Sequence, residues 1–148
     1  MSNTRYTVAV HIMTALDHFY IVLERPTTSD ELAWSVNTNP VLIRRIIGQL
    51  KRAGLVTSQA GAKGGFLLAH PPEDITLLDI YNAMQTPVLF PMHSSNPNPD
   101  CDVGANIQDV LGIVYENAED ALKIVLSQTT IADLHGDILA HHTAKTLD

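Results

Sequence analysis

Along most of the chain apolar residues recur at three- and four-residue spacing, and only once does the pattern suggest a pair of short strands. Residues 6–23 form a strongly apolar segment of helical length, with Val8, Ile12, Ala15 or Leu16, and Phe19 on one face. Arg25-Pro26 ends it. Thr28-Ser-Asp-Glu31 reads as a capping box, hydroxyl and carboxylate each satisfying the other residue's backbone donor, and opens a short helix to about Val36. Trp34 in that helix is expected to pack. Asn37-Thr38-Asn39-Pro40 is a turn and a second cap, with proline at the first helical position. In the next helix, Pro40 to about Ala53, Ile43, Ile46, Ile47 and Leu50 occupy i, i+3, i+4 and i+7 and predict an inner face. Val41, Arg44, Arg45, Gly48, Gln49, Lys51 and Arg52 are left outside, and Gly54 supplies a left-handed stop.

Two strands follow, Leu55 to Ser58 and Phe66 to Leu68, around a glycine-rich turn from Ala60 to Gly65. The turn is not a nucleotide-binding loop, because Lys63 precedes Gly64 and Gly65 instead of a serine or threonine. A further helix starts at Thr76 and runs to about Met84 or Gln85. Residues 86–104 hold four prolines and no periodicity, as expected of a loop. From Ile107 to Val125, helical spacing persists for about five turns, longer than a small domain covers. Its stripe is expected to pack partly on a second subunit. Thr130 to Asp133 restarts a last helix, expected to run into a frayed, histidine-rich tail. The resulting division is a first unit at 1–85, a loop at 86–104 and helices expected to dimerise at 105–148.

The 148 residues suffice for one cored domain with an added arm. The longest apolar run, Tyr20 to Leu23 with its neighbours, falls short of the ~20 residues of a membrane span. With no signal-peptide pattern, the protein is expected to be cytoplasmic and free of membrane. Cys101 is the single cysteine, so no internal disulfide forms. The net charge of -7 speaks against nucleic acid until its distribution is read. Residues 1–73 carry seven lysines and arginines against five acids, whereas residues 74–148 carry two against eleven. From Leu32 to Pro72 there is no acidic side chain, and five of the nine basic residues fall there. Such a local electropositive surface is what phosphate contact needs.

Two short helices joined by a turn, the second basic outside, followed by a hairpin with a glycine-rich tip, predict a winged helix-turn-helix: mainly α, with a small β-hairpin wing and a long C-terminal dimerisation helix. The second helix is expected in the major groove. Arg44 and Arg45 there reach guanine or phosphate, Gln49 reaches adenine, and Val41 a thymine methyl. Thr38 and Asn39 at its start and Lys51 and Arg52 at its end complete the surface. Lys63 and Gly64 at the wing tip are expected on the DNA backbone or minor groove. An enzymatic reading finds no nucleophile with a base and no paired carboxylates in a pocket. A non-DNA-binding interaction protein, or a thiol- or ligand-sensing protein on the same fold, is the alternative.

The segment LAWSVNTNPVLIRRIIGQLKRAGLVTSQAGAKGGFLLAHPPEDITLLDIYNAM, with its AGLV, GGF-LA and P-DITL elements, resembles the Rrf-two (Rrf2) family of bacterial winged-helix transcription regulators. Its best known members sense iron-sulfur status and nitric oxide. The resemblance implies a homodimer with two wings, double-stranded DNA as partner, and a gene-regulatory role, read here as repression. Cluster-binding members place three cysteines before the long helix, where this chain has Cys101 alone, so NTNPVLIRR resembles the branch without a cluster and no cofactor is expected. His93, His135, His141 and His142 show no metal-ligand spacing. Cys101 in the loop is the candidate sensing residue, for a redox or small-molecule effector.

Overall fold

In the computed structural model, which describes residues 3–147, six helices surround a two-stranded hairpin. They are α1 (Thr4–Leu23), α2 (Ser29–Val36), α3 (Pro40–Arg52), β1 (Val56–Gln59), β2 (Gly65–Leu68), α4 (Leu77–Ala83), α5 (Asp102–Ser127) and α6 (Ile131–Thr146), with a 3-10 turn at Pro72–Asp74. The strands are antiparallel, Val56 opposite Leu68 and Gln59 opposite Gly65. Thr27 adds a further bridge to Phe66, which ties the wing to the start of the helix-turn-helix.

Side chains that close backbone ends set the boundaries. Thr28 Oγ1 accepts from Glu31 N, and Glu31 Oε2 accepts from Thr28 N, the expected capping box of α2. Asn37 takes a left-handed backbone at the end of α2, and Asn39 Oδ1 accepts from Val41 N at 2.7 Å to open α3. The pairs Thr76/Asp79 and Thr130/Asp133 repeat the capping box at α4 and α6. Gly54 follows α3 with φ of 76°.

The core face of α3 is where helical spacing puts it, whereas on α1 Ile12, Ala15 and Leu16 are buried as expected but Ala9 and Met13 join them and Val8 and Phe19 are only partly buried. Ile43, Ile46, Ile47 and Leu50 of α3 are buried against Ala9, Ile12, Met13 and Leu16 of α1, with Leu32, Ile75 and Ile80. By length and composition α1 is long enough to cross a membrane, contrary to the sequence expectation, but one face of it forms this core. Trp34 is a second correction: it is 79% exposed. The short helix α2 buries Leu32 and Ala33, and two residues on from Leu32 is about 200° around the axis, so Trp34 faces outward.

The end of the chain differs from expectation too. Ile131, the first residue of α6, is fully buried in the same core, and His135 is buried one turn later. Leu77 N donates to Thr129 O and Ile131 N donates to Ile75 O, both at 2.9 Å, so the starts of α4 and α6 are stitched together. Thus α6, grouped in the sequence reading with the long helix, packs on α1 instead of trailing as a tail. The long helix α5 begins at Asp102, slightly before the expected position, and no residue in it is buried.

The Arg25–Glu31 pair beside the α2 cap makes a pH-dependent contribution. The Arg25 guanidinium donates to both carboxylate oxygens of Glu31. With the Thr28 N–H it overcomes partial desolvation and lowers the Glu31 pKa from 4.5 to about 2. Because the folded value lies below the unfolded one, the stabilisation is complete above about pH 4.5 and is lost as pH falls through about 2. Glu31→Gln is therefore expected to lower the melting temperature at neutral pH, by an amount that shrinks as pH falls from about 4.5 toward about 2. Thr28→Ala is expected to cost about 1 kcal/mol through the cap, and thermal unfolding across the pH range checks both.

Candidate nucleic-acid interface

The outer side of α3 has a crest and two flanks. Val41, Arg45, Gly48 and Arg52 follow one another at i, i+4, i+7 and i+11 along the crest, opposite the buried isoleucines. Among the described residues, the Arg45 and Arg52 side chains make no hydrogen bond or ion pair within the chain; both are exposed. A Cβ at Gly48 would sit 3.5 Å from Arg52 Nη1, so the guanidinium folds back over the glycine. On one flank, Arg44 Nη1 donates to Ser29 Oγ at 3.3 Å and Lys51 Nζ donates to Ser58 Oγ at 2.9 Å. These cations are steadied against α2 and β1. On the other flank, Gln49 Oε1 accepts from Arg5 Nη2 of α1.

This sorts the sequence candidates. Thr38 is half-buried and its N–H donates to Ala33 O, while the Asn39 side chain caps α3. Gln49 is half-buried and tied to α1, away from the crest. Arg5, which the sequence reading left out, joins the surface because α1 begins beside the end of α3. Nothing in local spacing relates residue 5 to residue 49. Trp34 adds an exposed indole on α2.

At the wing, Lys63 is fully exposed in the turn. The glycines around it have reasons internal to the chain. A Cβ on Gly64 would fall 2.2 Å from Gln59 O, and the Gly64 N–H already donates to Gly61 O at 3.0 Å. Gly65 has φ of 154°, and its Cβ would fall 2.6 Å from Thr27 O, inside the bridge to Phe66. Gly61, at φ of 104°, has open space around it. Gly64→Ala and Gly65→Ala are therefore each expected to cost roughly 1–3 kcal/mol, more than Gly61→Ala, because backbone must move as well as twist. Denaturant unfolding of the three variants checks the order.

The segment before α5 lies along that helix. Glu119 accepts from Tyr81 Oη at 3.3 Å and from Leu89 N at 2.7 Å, and the Phe90 and Tyr115 rings approach to 5.2 Å. Cys101 is exposed at the N-cap position of α5. The backbone N–H groups of Gly104 and then Val103 hold its thiol pKa below the usual value. The flanking Asp100 and Asp102 do not reverse that direction. Along α5, Val110, Ile113, Val114, Ile124 and Val125 form a long exposed apolar face. Among the described residues no three His, Cys, Asp or Glu side chains group to hold a metal ion.

Known proteins share this arrangement. YwnA of Bacillus subtilis, an HTH-type transcriptional regulator by name, is 40% identical over 135 residues, covering 90% of this chain and 96% of YwnA. A solved transcriptional regulator from Lactobacillus plantarum superposes with a TM-score of 0.75 at 28% identity, covering 98% of this chain and 96% of that one. CymR, the global cysteine regulator of B. subtilis, superposes with a TM-score of 0.67 at 26% identity, covering 92% of this chain and 96% of CymR. The Rrf2 family profile, described as an iron-dependent transcriptional regulator, matches residues 2–137, wing and long helix included. The fold is a winged helix of that family, whose members are regulators and not enzymes, and the chain belongs to the Rrf2 family of transcriptional regulators.

Proposed function

We propose that the protein is a cytoplasmic, homodimeric repressor that binds an inverted repeat in double-stranded DNA through α3 and the wing. One observation carries this reading: the two arginines on the crest of α3, Arg45 and Arg52, project without intramolecular partners from a segment with no acidic side chain. In the major groove Arg45 reads guanine, and Val41 meets a thymine methyl. Arg44, Lys51 and Arg52 hold phosphates on either side, Thr38 and Asn39 bring backbone to the first of them, and Gln49 is positioned by Arg5. Lys63 grips the backbone beyond, on the turn shaped by Gly64. The exposed apolar face of α5 supports a symmetric pair, which sets two α3 helices about one DNA turn apart, ~34 Å.

The paired-arginine reading separates recognition from grip. Arg45→Ala is expected to cost roughly 1–3 kcal/mol and to relax preference at particular base pairs. Lys63→Ala is expected to weaken all sequences alike and to reduce the salt slope by about one unit. Both are measured by titration of an operator selected from genomic fragments, with intact and half-scrambled repeats. Binding indifferent to scrambling one half-site contradicts the symmetric dimer.

The chain is further read as an iron-sulfur-free member, since Cys101 is its single cysteine. The loop carrying Cys101 is the route by which an effector alters the spacing of the two α3 helices, because it joins α4 to α5. The accessible, acidified thiol supports a redox version, through a bond to the partner subunit or to a small thiol. Protein prepared without oxygen is expected to be colourless and to bind its operator equally well as wild type or Cys101→Ser. After treatment with diamide only the wild type is expected to lose affinity.

A further inference from the structure

Two adjacent side chains of α1, Asp17 and His18, meet His135 of α6, remote from them in sequence. Asp17 Oδ2 lies 2.7 Å from His135 Nδ1, and His135 Nε2 lies 3.0 Å from His18 Nδ1. The Asp17 and His135 side chains are largely withdrawn from water. His18 and His135 also line a trough of about 400 Å³ between α1, the end of α2 and α6, a volume that suits a small organic molecule. Its walls are apolar, with Val10, Phe19, Leu134 and Ile138 among them. His11 Nε2, 2.9 Å from Ser35 Oγ, forms a second polar point. His11 and His18 are seven residues apart on α1, so about 10 Å of apolar wall separates them.

The hydrogen bonds dictate where protons sit. Ionised Asp17 accepts the Nδ1–H of His135, which leaves His135 Nε2 an acceptor when that ring is neutral. His18 then donates from Nδ1 and keeps its lone pair on Nε2. Among the described residues His18 Nε2 has no hydrogen-bond partner. That nitrogen is therefore the open end of the chain, with the Asp17 carboxylate two hydrogen bonds away.

We propose that this trough is a binding site for small apolar carboxylic acids, the carboxylate pairing with protonated His18 and the hydrocarbon body covering the wall between His18 and His11. The charges balance. One proton moves from solvent to His18 Nε2 as one carboxylate binds, so the net charge of the site is unchanged and no uncompensated ion is buried. An alcohol of the same length gains the apolar contact without the ion pair. The other titratable groups nearby are His11 on α1, His70 after β2 in the cleft it shares with Asp17, and Asp137 and His141 on α6 beside Leu134 and Ile138. Desolvation keeps the His11 pKa below the usual imidazole value, so it stays a neutral partner of Ser35 near neutral pH. Ser35 belongs to α2, which packs on α3, so an occupied trough bears on the DNA-reading helix; that consequence, unlike binding itself, rests on the function proposed above.

Octanoate, long enough to span the trough, is the probe, with octanol as its uncharged counterpart. Calorimetry on the full chain without DNA, at about pH 6 and about pH 8 in buffers of different ionisation enthalpy, is expected to show one octanoate and one proton bound together. Octanoate affinity is expected to be weaker at about pH 8 than at about pH 6, and octanol affinity the same at both. His18→Gln keeps an N–H for His135 and is expected to abolish proton uptake and weaken octanoate at least tenfold, while octanol is unaffected. Ile138→Trp, at a half-exposed position, is expected to fill the trough and block both, with an unchanged melting temperature as the control for folding. Absence of octanoate binding at millimolar concentration overturns the proposal, as does octanol binding equal to octanoate. Affinity that declines as the protein is concentrated assigns the trough to a second copy of the chain and overturns it as well. A separate titration of operator is expected to respond to octanoate in the wild type and not in Ile138→Trp; failure of DNA binding altogether leaves the calorimetric result standing.

Discussion

Burial of one face of α1 is the constraint on which the remaining structure depends. Ala9, Ile12, Met13 and Leu16 are removed from water by contact with α2, α3, α4, β2 and α6, so one helix is the common wall of five elements. Fully burying an aliphatic side chain of this size contributes about 1.5–3 kcal/mol. With the apolar face committed, the orientation of every polar residue on α1 follows. Arg5 arrives beside Gln49, His11 beside Ser35, Tyr6 beneath the Leu77 carbonyl, and Asp17 and His18 beside His135. The proposed recognition surface and the histidine trough are thus two outcomes of a single packing arrangement.

The electrostatics follow the same economy. A protein with net charge of -7 presents a cationic ridge because the acids lie elsewhere in sequence. The cations of that ridge are also treated differently by the fold. Serines 29 and 58 hold Arg44 and Lys51 along its edge, reducing the side-chain freedom that a phosphate contact would otherwise have to freeze, while Arg45 on the crest keeps its full donor set.

How much of this was legible in the sequence depended on the range of the physics involved. Caps operate over three or four residues, and Thr28 with Glu31, Asn39 with Pro40 and Gly54 marked α2 and α3 correctly. The four-residue core face of α3 was equally local. Glycine at 64 and 65 was visible as a turn, but its cause was not, since Thr27 is far from Gly65 along the chain. The outward Trp34 was misjudged because hydrophobicity alone says nothing about which side of an eight-residue helix the core occupies. The His18–His135 contact spans 117 residues and carries no periodic signal. The return of α6 to the core rests on Ile131, which local spacing does not set apart from Leu134 or the exposed Ile138 of the same helix.

The stitching of Thr76 to Thr130 has a mechanical meaning. The chain leaves the body of the molecule at α4 and comes back to the same point after α5, so the C-terminal foot of the long helix is pinned while its N-terminal end lies a helix length away. The Tyr81–Glu119 hydrogen bond holds the same C-terminal third of α5 to α4, so a rod held in this way is freer to tilt than to slide. Over the 26 residues of α5, about 39 Å at the helical rise, a tilt of roughly 5° at the foot carries the opposite end through about 3 Å. The end that travels farthest carries Cys101, whereas the pinned foot continues directly into Ile131 and the core. Small angular changes are amplified at one end and delivered almost without displacement at the other.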